Sequence, residues 1–194
     1  MDLALRVSPS RSSVVTPPTE VKQQSLVNLG LLVIRLIFGL VMVAHGAQKL
    51  FGWFGGHGLA GTGGVFESLG FRPGRRFAFA AGLSEFVGGW LFALGFLGPV
   101  GPALILAVML VASISVHLRN GLFASTNGVE VPLLYATAAV GVALIGFGTY
   151  SLDAALGLAA LWTPGLIGLA LAVGVIGGIA NLLLRKRPPT MPTV

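Results

Sequence analysis

Leu29 to Phe51 reads LGLLVIRLIFGLVMVAHGAQKLF, and this run decides what kind of protein the chain is. As a helix rising about 1.5 Å per residue it is about 34 Å long, enough to cross a hydrocarbon core of about 30 Å. Its ionisable residues are Arg35, His45 and Lys49. Such groups are costly at membrane depth and point by default to a site. Arg35, Met42 and Lys49 keep roughly one face, drifting by ~20° per seven residues, and His45 precedes Lys49 by one turn. That stripe is expected to face protein rather than lipid.

The rest of the chain agrees. Of its 194 residues 55% are apolar and 9% charged, and apolar runs of span length recur, so this reads as an integral membrane protein. The runs are continuously apolar, whereas a membrane barrel alternates with period two; the fold class is therefore all-α. The 29 glycines suit helices whose backbones approach closely. The absence of cysteine excludes disulfides, thiolate metal ligands and Cys-held iron–sulfur clusters. The net charge of +6 sits beside apolar runs and forms no long solvated face, so it reads as membrane orientation, not nucleic-acid binding.

Residues 1–28 form a Ser-, Pro- and Thr-rich tail with little periodicity, expected to be flexible; it has no signal-peptide h-region. After the Leu29–Phe51 span comes a glycine-rich connection, Gly52 to Gly74, in which Thr62 is expected to cap a short interfacial or re-entrant helix closed by Gly70 and Pro73. Further spans are expected over Arg75–Leu97, Ala103–Leu118, Val131–Tyr150 and Pro164–Leu184. In the second, Ala78, Gly82, Glu85, Gly89 and Phe92 follow four- and three-residue steps, which places Glu85 at a helix–helix contact. The last span has no ionisable group, carries a Gly174-xxx-Gly178 pair and is followed by Arg185, Lys186 and Arg187. Residues 188–194 are a short tail. Five crossings put Lys49, Arg72, Arg75, Arg76, Arg119 and the terminal basic run on one side, which the positive-inside bias makes cytoplasmic, the C-terminus with it.

Several of these residues together resemble the DoxX family of small four-helix membrane proteins. The resemblance covers Leu29 to Leu156. It rests on Arg35-xxx-Gly39, on HGAQKLFG at His45–Gly52, on the Gly-Thr-rich connection and on GLSEFVGG at Gly82–Gly89. His117 with Gly121 and Phe123, and the closing GTYSLD at Gly148–Asp153, complete it. It implies a four-helix bundle over residues 29–156 in a bacterial-type cytoplasmic membrane; the long N-terminal tail and the additional C-terminal helix of residues 157–187 depart from that pattern. The family name comes from a relative in thiosulfate:quinone oxidoreduction, and other members are associated with redox systems, while many have no assigned reaction.

The candidate site gathers groups near the cytoplasmic ends of three spans: Glu85, His45 and His117 as proton-handling residues, with Lys49, Gln48 and Trp53 around a bound carrier. Each has a plainer reading. Lys49 can snorkel to the headgroups, and His45 and His117 can satisfy neighbouring carbonyls. Trp53 and Phe54 can anchor the interface, and His57 can simply be solvated. Glu85, nearly mid-span, either pairs with Lys49 or Arg35 or stays protonated; Arg35 has Asp153 as an expected counter-ion. A quinone suits an apolar chamber with a few polar groups, because its flat ring is apolar and its two carbonyls need hydrogen bonds. A bis-histidine haem or a His/Glu metal site fits less well, since His45 and His117 lie near helix ends. The expected function is a redox-associated membrane subunit handling a quinone with a membrane or soluble redox partner. The competing readings are an assembly subunit of a larger complex and a small transporter.

Overall fold

In the computed structural model, which describes residues 18–186, one helix dominates the architecture. Helix α1 runs from Pro18 to Phe51, about 51 Å at 1.5 Å per residue. It therefore begins eleven residues before the expected Leu29. The reason is local: no glycine or proline interrupts 19–29, and Glu20 sits in the first turn against the helix dipole. The polar composition of this stretch disguises a helix that overshoots the bilayer core by several turns. The rest of the expected N-terminal tail, the 188–194 tail and Arg187 lie outside the described residues.

A short helix, α2 (Gly58–Ser68), occupies the glycine-rich connection. Thr62 lies inside it rather than capping it, because the helix starts a turn earlier, at Gly58. Gly70 closes it with φ +94°, as expected. Helix α3 (Gly74–Leu94) stops three residues before the expected Leu97. There Gly95 turns left-handed at φ +61° and the Phe96 N–H closes on the Leu91 carbonyl at 2.9 Å. Helix α4 (Val100–Ala112) continues through a π turn at Ser113–His117 and a 3-10 turn at Leu118–Asn120. Helix α5 (Glu130–Ile145) ends at Gly146, short of the expected Tyr150, and at 16 residues is about 24 Å long. A one-turn helix, α6 (Leu152–Ala155), is capped by Ser151, and α7 (Pro164–Leu183) completes the chain. Among the described residues four helices are long and apolar enough to cross a membrane, and α5 is a shorter apolar companion. There is no strand among the described residues. This is an all-α integral membrane protein.

Glycine sets how closely the helices approach. Gly39 and Gly46 on α1 face Gly82, Gly89 and Ala93 on α3: a Cβ on Gly46 would lie 2.5 Å from the Phe86 amide nitrogen, and one on Gly89 2.7 Å from the Gly39 carbonyl oxygen. The expected row of Ala78, Gly82, Glu85, Gly89 and Phe92 is buried throughout. The same device seats α7 on α4, where a Cβ on Gly174 would lie 2.5 Å from the Ala103 carbonyl oxygen. Large apolar residues such as Ile37, Leu40, Val173 and Ile176 stay exposed and face lipid.

Polar contacts lock both ends of the bundle. At one end the buried Arg35 donates to the carbonyls of Phe147 and Tyr150. The buried Asp153 accepts from Leu97 N at 3.0 Å, Gly98 N at 2.7 Å and Trp162 Nε1 at 2.7 Å. The expected Arg35–Asp153 ion pair is thus not formed: the two charges serve different backbone groups freed by the helix ends around them. At the other end Arg185 donates through Nε to the Leu69 carbonyl, and Lys186 N donates to Gly70 O at 2.8 Å. The end of α7 therefore lies beside the α2–α3 connection, as five crossings require.

Candidate functional site

The α1–α3 glycine seam brings two ionisable side chains together. A Cβ on Gly82 would stand 3.2 Å from that of Lys49, so the bare glycine lets the lysine lie across α3. One turn further along, Glu85 takes the Lys49 ammonium on both oxygens, at 2.7 and 2.5 Å. Glu85 is 3% exposed, and Lys49 keeps some solvent access at the helix end. Lys49 is thus held by an internal partner and does not snorkel freely. Of the partners the sequence left open for Glu85, the structure forms the one with Lys49.

The pair lies on the wall of a cavity of about 410 Å³. This is within the range of small-molecule sites, about 300–1,000 Å³. Helix α1 contributes Gln48 and Lys49; α2 contributes Thr62, Val65 and Phe66, with Leu69 just past its end; α3 contributes Ala81 and Glu85. The fully buried Phe71 closes one side, and α4 brings Val108, Val111 and Ala112 and the whole of Ser115–His117. The lining is mainly apolar, with its polar groups near the basic end of the bundle.

Of the six residues expected at the site, four line this cavity: Glu85, Lys49, Gln48 and His117. Gln48 donates to the Phe54 carbonyl at 3.2 Å, which ties α1 to the loop at the mouth. The Nδ1 of His117 is 2.8 Å from the Asn127 carbonyl oxygen. His45 is not in the lining. It meets α5 instead, edge-on to the Tyr135 ring with centroids 6.0 Å apart. Trp53 is also outside, 56% exposed and stacked at 4.9 Å on Phe51. Depth accounts for His45: it lies one turn before Lys49 on α1, about 6 Å further along the helix axis, and at that level its neighbour is Tyr135 of α5. Trp53 belongs to the turn after α1 and points away with it. The two imidazoles of the expected haem reading, His45 and His117, are engaged by different partners. Among the described residues no three His, Asp or Glu side chains gather as a metal site would require.

The structure adds residues to the expected set. Exposed His57, the residue before α2, stands at the mouth. Ser115 lines the cavity, is 4% exposed, and its Oγ has no hydrogen-bond partner. In a regular α-helix Ser113 and His117 share a face and Ser115 does not. The π turn, in which Leu118 N reaches back five residues to Ser113 O, instead carries Ser115, Val116 and His117 to one cavity.

The DoxX family model matches residues 30–118, just under half of the chain. Over this segment the chain is similar to the DoxX family, in keeping with the motifs that resemble it. No curated protein and no solved structure matches the chain. The DoxX segment runs from α1 through the π turn of α4, so it contains every cavity residue named here. Helices α5 to α7, and the GTYSLD run that the resemblance included, lie beyond it.

Proposed function

We propose that this DoxX-like protein is a redox-linked membrane subunit that binds a quinone, or a small carrier of the same shape, in the cavity at the basic end of its bundle. The observation that carries this reading is the Lys49–Glu85 pair set in an otherwise mainly apolar wall. The residues suit such a molecule. Val108, Val111, Phe66 and Leu69 offer apolar surface to a flat ring, and the Lys49 ammonium is a donor for a carbonyl oxygen. When bound, the quinone supplies two-electron chemistry in which each of its oxygens takes up a proton.

The chain's own part is to hold and move protons. Lys49 Nζ carries three, and Glu85 anchors it while offering a carboxylate that takes one up. Gln48, Thr62 and His57 place further polar atoms toward the mouth. In this reading a partner protein supplies the electrons. The basic groups Lys49, Arg72, Arg75, Arg76, Arg119, Arg185 and Lys186 gather at the cavity end, with Lys22 at the other. Under the positive-inside bias the mouth and the end of α7 face the cytoplasm, where a soluble partner can reach them.

Thermal unfolding of the detergent-solubilised protein with ubiquinone-1 tests the reading. A ligand at a hundredfold its Kd adds about 2.7 kcal/mol of stability, which raises Tm measurably. No shift with ubiquinone-1 or with a naphthoquinone overturns it.

A further inference from the structure

Ser115 stands out among the buried polar groups. Burying a hydroxyl without a partner forfeits its solvation with nothing in return, and native structures rarely leave one so. A serine inside a helix has a ready escape, since its hydroxyl can bond back to the carbonyl one turn earlier. Ser115 does not take that escape: its Oγ has no partner, although neighbouring polar groups do. Asn120 Nδ2 donates to Val116 O at 3.1 Å, and His117 Nδ1 lies 2.8 Å from Asn127 O. The unmet hydroxyl belongs to a residue of the cavity lining, within the π turn that departs from α-helical geometry. Such π turns are frequent at functional sites.

We infer that the Ser115 hydroxyl is a ligand contact, donating to an oxygen of the molecule bound in the cavity from the α4 wall while Lys49 donates from the α1 wall. The ligand class this selects is one with two separated oxygen acceptors on an apolar body. A dione of the quinone type meets that description, whereas a purely apolar lipid chain leaves Ser115 unmet. The inference rests on the proposed carrier site and deepens it.

The test compares wild type, Ser115→Ala and Ser115→Thr as full-length protein in mild detergent. Ubiquinone-1 affinity is measured by titration calorimetry, and Tm is measured without ligand. Removing one hydrogen bond to a bound ligand is expected to weaken Ser115→Ala binding about tenfold, with Ser115→Thr retaining most of the affinity. The ligand-free Tm of Ser115→Ala is expected to match or exceed that of wild type, since an unmet hydroxyl is removed. A lowered ligand-free Tm for Ser115→Ala overturns the inference, because the hydroxyl is then structural. Wild-type binding with unchanged affinity in Ser115→Ala overturns the Ser115 contact alone. No binding of ubiquinone-1 by wild type overturns the carrier reading and this contact together.

Discussion

Lys49 and Glu85 form a pair whose energetics argue for a role beyond holding the fold. Two charges drawn out of water lose solvation that their attraction only partly returns, so a well-packed apolar pair of similar size is often as stable or more so. Breaking the pair is another matter. Glu85→Ala leaves the ammonium beside an apolar wall and is expected to cost about 3 kcal/mol, with the partial exposure of Lys49 softening the loss. Lys49→Met with Glu85→Leu is expected to keep the wild-type Tm or exceed it, yet to lose the ubiquinone-1 shift. Paired melting curves with and without the quinone check both outcomes, and a double variant that still responds to quinone removes the pair from the site. Glu85 is legible in the sequence because a carboxylate in mid-span among small residues can neither reach water nor face lipid. Ser115 is not, because its place at the cavity depends on a π turn that the SISVH sequence does not announce. His45 misleads for a related reason: membership of the cavity turns on which neighbour α1 meets at each level, and one turn before Lys49 that neighbour is Tyr135 of α5.

Helices meet here through missing side chains. Gly46 sits where a Cβ would meet backbone of Phe86 at 2.5 Å, so Gly46→Ala forces α1 and α3 apart. The expected loss is about 2 kcal/mol, within the range for overpacking, and the displaced seam also draws Lys49 from Glu85. Gly30→Ala on the same helix is the control: nothing lies within 4 Å of its Cβ, so its Tm is expected to stay level or rise. Equal losses in the two variants would show that the seam is not the cause. The floor of the cavity depends on an element outside the DoxX segment. Arg185, just past α7, bonds the Leu69 carbonyl and lies 5.9 Å from the centre of the Phe71 ring. Arg185→Ala is expected to cost about 1 kcal/mol, the scale of one partly exposed charged hydrogen bond, and to weaken quinone binding through Phe71. Apolar length and the Gly174-xxx-Gly178 pair make α7 visible in the sequence as a packed helix. Its reach to Leu69 and Gly70 is invisible there, because both bonds end on backbone carbonyls more than a hundred residues away.

For the molecule as a whole, topology follows from charge and crossing number. Helices α1, α3, α4, α5 and α7 alternate direction, so the Arg119–Glu130 connection shares an end with Lys49 and Arg185, while the Tyr150–Thr163 connection lies at the other. The proposed orientation follows from the positive-inside bias. Because the chain has no cysteine, a single introduced thiol reports its own side without interference. Ser125 and Ala160 are exposed, one in each connection. With a membrane-impermeant maleimide applied to intact cells, Ala160→Cys is expected to label directly and Ser125→Cys only after permeabilisation. The reverse pattern would turn the cavity mouth outward and require the electron-donating partner to be extracytoplasmic. Labelling of both from one side would mean an even number of crossings between them. Helix α5, at about 24 Å the shortest of the five long apolar helices, would then be the element that fails to span.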